Sequence, residues 1–174
     1  MELPKRKAIR LPEYDYSAPG AYFITICTQD RKCILSDIAV GALHEAPAAS
    51  VRLTEIGRIV QGMIKTLDKR YPNVVVDKYV IMPNHVHLLL RIGEERALRE
   101  APLQAGSKRS LLGKVIGYLK MNSSKQIHAR LPDLDVWQRS FYEHVIRNEA
   151  DYRETWDYID GNPAKRAEDE FYTE

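Results

Sequence analysis

Apolar residues recur along this chain with two spacings, every second residue and every third or fourth, and the switching between them predicts the order of elements. Ala21 to Gln29 alternates as a strand, with Tyr22, Ile24 and Ile26 on one side and Phe23, Thr25 and Cys27 on the other. A turn at Asp30 to Lys32 leads to a short strand near Cys33 to Leu35, and the small residues and proline of Asp37 to Ser50 predict a loop. Thr54 is placed to cap a helix over Glu55 to Arg70, in which Ile56, Ile59, Val60, Met63, Ile64 and Leu67 form one apolar face. The run from Val74 to Ile81 predicts a strand, Pro83-Asn84 a turn, and His85 to Ile92 a second strand. Along it His85, His87 and Leu89 share one face, and Val86, Leu88 and Leu90 the other.

Downstream, Glu94 to Lys108 is polar and reads as a surface loop, and Ser110 caps a helix running to about Arg130. That helix turns Leu112, Val115, Ile116, Leu119 and Ile127 inward and Lys114, Lys120 and Lys125 outward. Val136 to Ile146 predicts a last strand. Glu149 to Ile159 predicts a third helix, ended by Gly161-Asn162-Pro163, with Tyr152, Trp156 and Ile159 as its buried stripe. Strands joined by a turn as short as Pro83-Asn84 are antiparallel. The order predicts an α+β fold, an antiparallel sheet with helices packed mainly on one face.

Composition narrows the class. A chain of 174 residues with 44% hydrophobic residues predicts one domain over 1–174, with residues 1–18 a flexible basic leader and 166–174 an acidic tail. The net charge of +2 is too mild to imply nucleic acid by itself, but Lys108 to Arg147 carries eight basic residues against Asp133, Asp135 and Glu143. Cys27 and Cys33 are not spaced for zinc or redox work, and no apolar run approaches membrane-spanning length, so a reducing cytoplasm and no membrane partner are expected.

Two imidazoles two positions apart on a strand project side by side at fixed separation, which suits metal binding; ordinary hydrogen-bonded core histidines remain the other reading. Near the C-terminus Tyr158 stands off the Tyr152 stripe and shares an edge with Asp151, Thr155 and Asn162, so its hydroxyl can be offered to a groove or serve structure alone. Asn162, followed by Pro163, is placed as the cap of a short following helix, Pro163 to Asp169, which would not exclude another role.

The run VDKYVIMPNHVHLLLRI resembles the histidine-hydrophobic-histidine (HUH) motif of REP-associated tyrosine transposases, in the single-tyrosine HUH transposase superfamily (IS200-like), and FYEHVIRNEADYRETWDYIDGNP resembles their C-terminal block. The resemblance spans roughly Tyr14 to Lys165. It implies a ferredoxin-like sheet with the histidines on a central strand, Tyr158 as nucleophile, and His85, His87 and Asn162 as ligands of Mg²⁺ or Mn²⁺. It also implies a single-stranded or hairpin DNA substrate, a covalent 5′-phosphotyrosine and a monomer, with a dimer the alternative. Within the block-like WQRSFY run, Arg139 and Lys120 are candidates to hold phosphates and Trp137 or Tyr142 to stack on bases, with Lys125 on the same basic helix and core packing the alternative for Trp137. His144 and Asp151 are conceivable helpers of the phenol. The ending NPAKRAEDEFYTE departs from the family's apolar-ended continuation, so contacts made by that extension do not carry over. Three functions stay open: a DNA-nicking transposase, a hairpin-binding protein without productive cleavage, and an unrelated metal-dependent hydrolase.

Overall fold

The computed structural model describes residues 18–40, 49–93 and 110–171. The expected basic leader, the loop at Glu94 to Lys108 and the last three residues of the acidic tail lie outside them, as does most of the loop predicted between Asp37 and Ser50.

A four-stranded antiparallel sheet is built from β1 (Gly20–Cys27), β4 (Val74–Ile81), β5 (His85–Ile92) and β6 (Tyr142–Ile146), in the order β4-β5-β1-β6. Helix α1 (Glu55–Ile64) joins β1 to β4, and α3 (Leu111–His128) joins β5 to β6. The two crossovers and the central β5-β1 pair give the ferredoxin-like arrangement. Strand β5 is inserted between β4 and β1, pairing Cys27 with His85 and Thr25 with His87. Tyr22, Ile24, Ile26, Val86, Leu88 and Leu90 all point to one face and are fully buried beneath α1 and α3. Each such leucine contributes ~2 kcal/mol by leaving water. Leu89, on the opposite face, is equally buried; β5 is covered on both sides.

Local signals explain the helix starts. Thr54 accepts a hydrogen bond from the Gly57 amide, and Ser110 accepts one from Gly113. The first helix is shorter than its apolar face predicts: α1 stops at Ile64, and a separate turn, α2 (Leu67–Arg70), follows. The Thr66 hydroxyl donates to the Met63 carbonyl at the break, a local bond that competes with helix continuation.

Three strand expectations are corrected. Cys33 to Leu35 is not a strand; Gln29–Arg31 forms a 3-10 turn, and Ile34 and Leu35 run irregularly into β2. Part of the predicted loop is a two-stranded ladder, β2 (Ser36–Val40) with β3 (Ala49–Leu53), in which Ile38 pairs Val51. Its alternation was masked by the small residues. The last strand begins only at Tyr142, because the segment from Leu134 to Phe141 packs its apolar side chains against the core while Trp137 makes a single bridge to Thr28. Helix α4 (Glu149–Gly161) lies on the face opposite α1 and α3, against β4 and β5. It buries Thr155 and Ile159, whereas Trp156 is 38% exposed, so its buried edge is rotated from the expected aromatic stripe.

Candidate functional site

The rotation of α4 brings its polar edge over the two histidines. His85 and His87 are buried on β5 with their Nε2 atoms 3.0 Å apart, and Tyr158 stands above them with its ring 5.3 Å from that of His87. Asn162, at the end of α4, is buried beside them and keeps helical angles (φ −56°, ψ −43°) despite the following proline. Its side chain does not cap a following helix. Four of the expected site residues are therefore in one place.

A fifth group was not expected. After Asn162 the chain turns and makes a 3-10 turn at Arg166–Glu168, which carries buried Asp169 into the middle of the cluster. One oxygen of Asp169, Oδ2, accepts the Tyr158 hydroxyl at 2.7 Å and the Asn162 amide, and lies 3.3 Å from His87 Nε2 and 3.7 Å from His85 Nε2. Its other oxygen accepts the Phe171 amide at 2.7 Å. Asp169 sits in a short acidic segment without periodicity, so nothing local marked it out. The expectation of a mere acidic tail is corrected for this residue.

The ring orientations are set from behind. His85 Nδ1 donates to Asn84 Oδ1 at 2.7 Å, and Asn84 in turn donates to the Phe171 carbonyl at 2.9 Å, so the lone pair of His85 Nε2 faces the cluster. His87 Nδ1 meets the Thr25 hydroxyl at 2.8 Å, and Phe23 stacks on the same ring at 5.1 Å. Burial is the larger influence on His87 and holds its pKa down to about 4, outweighing the hydrogen bond to Asp169; the ring is neutral at pH 7. Burial alone would raise the Asp169 carboxyl, but its polar contacts with both histidines and the hydrogen bonds from Asn162 and Tyr158 hold it well below the usual carboxylate range. The phenol of Tyr158 is pushed above its ordinary value, first by burial and then by the bond to that carboxylate.

These donors suit a hard divalent cation. Two imidazole nitrogens and an ionised carboxylate all lie within 4.8 Å of one another, and Asn162 Oδ1 is buried without a hydrogen-bond partner among the described residues. Ligands bound at ~2.1 Å and at right angles stand ~3.0 Å apart, the separation that the two Nε2 atoms already have.

No family model matches the chain. A Haemophilus influenzae protein named "Uncharacterized protein" is 30% identical over 177 residues, covering 97% of this chain and 94% of its own length. Another from the same organism, named "Putative REP-associated tyrosine transposase", is 31% identical over 155 residues, covering 87% of this chain and 74% of its own. The chain belongs to the REP-associated tyrosine transposase family. Among solved structures, a REP-associated tyrosine transposase bound to a REP hairpin shares the fold, with a TM-score of 0.58 at 21% identity over 90% of this chain and 74% of that one.

The residues expected to meet DNA lie elsewhere on the chain, around α3 and the segment before β6. Arg139 and Lys125 are exposed. Lys120 is not available as expected: its ammonium donates to the carbonyls of Gln138, Arg139 and Ser140 at 2.5, 3.2 and 3.1 Å, and burial lowers its pKa. Trp137 is half-buried against the core and donates from Nε1 to Ser123 Oγ at 3.0 Å. Lys120, Met121, Trp137 and Arg139 line an open cleft of about 340 Å³. His144 and Asp151 bond each other at 3.0 Å, and Asp151 also accepts the Arg147 amide where α4 begins. No helix among the described residues is long and apolar enough to cross a membrane.

Proposed function

We propose that this protein cleaves and rejoins single-stranded DNA beside a hairpin, with Tyr158 as nucleophile. The observation that carries the reading is the convergence of the Tyr158 hydroxyl and both histidine Nε2 atoms on one carboxylate oxygen. Family membership and the hairpin bound by the structural relative support the choice of substrate.

His85 and His87, with Asp169 and the free Oδ1 of Asn162, would hold Mg²⁺ or Mn²⁺, which supplies charge relief on the phosphate oxygens when bound. The Tyr158 oxygen attacks phosphorus and forms a phosphotyrosine ester while the bond from phosphorus to the 3′ oxygen breaks. Asp169 Oδ2 orients the hydroxyl but is too weak a base to keep its proton, so the phenolic proton passes to water as the ester forms, and the departing 3′ oxygen takes a proton from water. The phosphate stays on the 5′ end as 5′-phosphotyrosine; attack by a 3′-hydroxyl reverses the step, so resealing needs no nucleotide cofactor. Phe23 packs edge-on against Tyr158 at 5.8 Å and limits where the phenol can swing. Arg139 and Lys125 contact phosphates, and Lys120 shapes the loop that presents Arg139. Tyr158 stands over the histidines of its own chain, so the site needs no residue from a second copy, which supports a monomer as the acting unit over a dimer.

The test is incubation of labelled single-stranded hairpin oligonucleotides, including repeats flanking the gene, with protein and Mg²⁺ or Mn²⁺, followed by a denaturing gel. A metal-dependent covalent band lost in Tyr158→Phe and kept in Tyr118→Phe is expected. Cleavage without a covalent band refutes the tyrosine mechanism in favour of a water-using hydrolase. Tight hairpin binding with neither product refutes it in favour of a DNA-binding protein.

A further inference from the structure

The grip of α4 on the sheet is unusual in kind. A helix that buries only Thr155 and Ile159 has little apolar area to fix its slide or rotation over β4 and β5. It is held instead along a line of residues four apart, Tyr152, Trp156 and Asp160, which lie on one side of the helix. The Tyr152 hydroxyl donates to Asp77 Oδ2 at 2.9 Å, Lys78 Nζ lies 4.4 Å from the Trp156 ring centre, and Lys78 pairs with Asp160 at 2.5 Å. Asp77 and Lys78 are consecutive. In a regular strand their side chains would point to opposite faces. They serve the same helix because the β4-β5 register shifts between Val76 and Lys78, leaving Asp77 as an extra residue. Arg91 then fixes the Asp77 carboxylate through Nε at 2.5 Å and a second guanidinium nitrogen at 2.7 Å.

We propose that this irregularity in β4 is a positioning device for the nucleophile: by turning Asp77 and Lys78 onto one face, it grips α4 and fixes the reach of the Tyr158 hydroxyl over the histidine pair. The inference rests on the reading of Tyr158 as nucleophile. Asp77 and Tyr152 are positioning residues; neither touches the histidines. Since a displacement of ~1 Å at a reacting atom costs ~100-fold in rate, loosening the grip acts on the chemical step and leaves hairpin affinity alone.

The experiment measures single-turnover adduct formation at saturating hairpin DNA, together with the dissociation constant for the hairpin, in wild type, Tyr152→Phe, Asp77→Ala and the double variant. In parallel, tyrosine labelled with ¹³C at the ring carbon bearing the hydroxyl reports the Tyr158 resonance, identified by its loss in Tyr158→Phe. The expected result is a fall of about tenfold or more in rate for Tyr152→Phe, an unchanged dissociation constant, a displaced Tyr158 resonance, and a double variant no slower than Asp77→Ala alone. A Tyr152→Phe rate within about twofold of wild type, or a loss confined to hairpin affinity, overturns the proposal. Should Asp77→Ala fail to fold, Tyr152→Phe, which removes one oxygen and keeps the ring, decides the matter. If wild type forms no adduct, the nuclease reading fails by itself. The Tyr158 resonance then decides the grip: displaced in Tyr152→Phe it stands, unmoved it falls.

Discussion

Acidification should unfold this protein earlier than its carboxylates alone dictate, because of His87. The imidazole is buried and holds a pKa of about 4 in the fold, against ~6.5 in an unfolded chain. A depressed pKa means that the unfolded state takes up the proton first, so the contribution of His87 is complete above pH ~6.5 and is lost as pH falls toward ~4. Between pH 7.5 and 4.5 the unfolded ring becomes almost fully charged while the folded ring stays mostly neutral, a loss of about 2.5 kcal/mol with a slope of ~1.2 kcal/mol per pH unit in mid-range. Asp169 does not blur this window. Its carboxyl is held low, so its own loss sets in only as pH falls through the ordinary carboxylate value of ~3.9. Urea unfolding at several pH values, with EDTA present to keep metal binding from adding its own proton dependence, measures the effect in wild type and His87→Gln. The substitution should flatten the curve by close to one proton across the window. Parallel curves for the two proteins would show that His87 titrates normally and refute the argument from burial.

Other consequences follow from single contacts. Thr25→Val removes the hydroxyl that orients His87 through Nδ1 and should weaken Mn²⁺ binding about 10- to 100-fold by calorimetry, with equal affinity removing Thr25 from that role. Asp169→Ala strands the Tyr158 hydroxyl, the Asn162 amide and the Phe171 amide together, so a loss of about 3 kcal/mol is expected in urea melts. An unchanged midpoint would mean that water replaces the carboxylate at no cost. Gly57→Ala drives a methyl into the Leu35 carbonyl where α1 meets the start of β2, and thermal melts should show a loss of about 2–3 kcal/mol, near 6 °C or more; a melt like wild type would mean that this contact relaxes freely.

What could be read in advance follows from how local each signal is. Alternation along His85 to Leu90 predicts which side chains share a face, and the structure places Val86, Leu88 and Leu90 in the core. Caps at Thr54 and Ser110 are equally local. The ladder of β2 with β3 was hidden because Ser36, Ala39, Ala49 and Ser50 carry little apolar contrast. Helix α4 misled for a physical reason: its periodicity marks aromatic residues as core, yet Tyr152 and Trp156 are engaged by a strand irregularity that no pattern within the helix records. Asp169 lay furthest from view, since its position depends on a turn after Asn162 and on partners 82 and 84 residues away. The histidine pair stands out by its spacing on a strand and Tyr158 is named as nucleophile by resemblance; only the folded chain shows what surrounds them.

The double coverage of β5 bears on how such a protein decays over evolution. Every residue from His85 to Leu90 is buried, so changes there strike the core or the cluster that holds the C-terminal turn, and tend to remove the whole molecule. Tyr158, at 40% exposure on the outer helix, can be replaced with the sheet intact. On the proposed function, a lineage that gives up cutting while keeping a folded, hairpin-holding protein should therefore lose its tyrosine before its histidines. In inactive descendants the surviving histidine pair would be a relic of architecture, not a sign of activity.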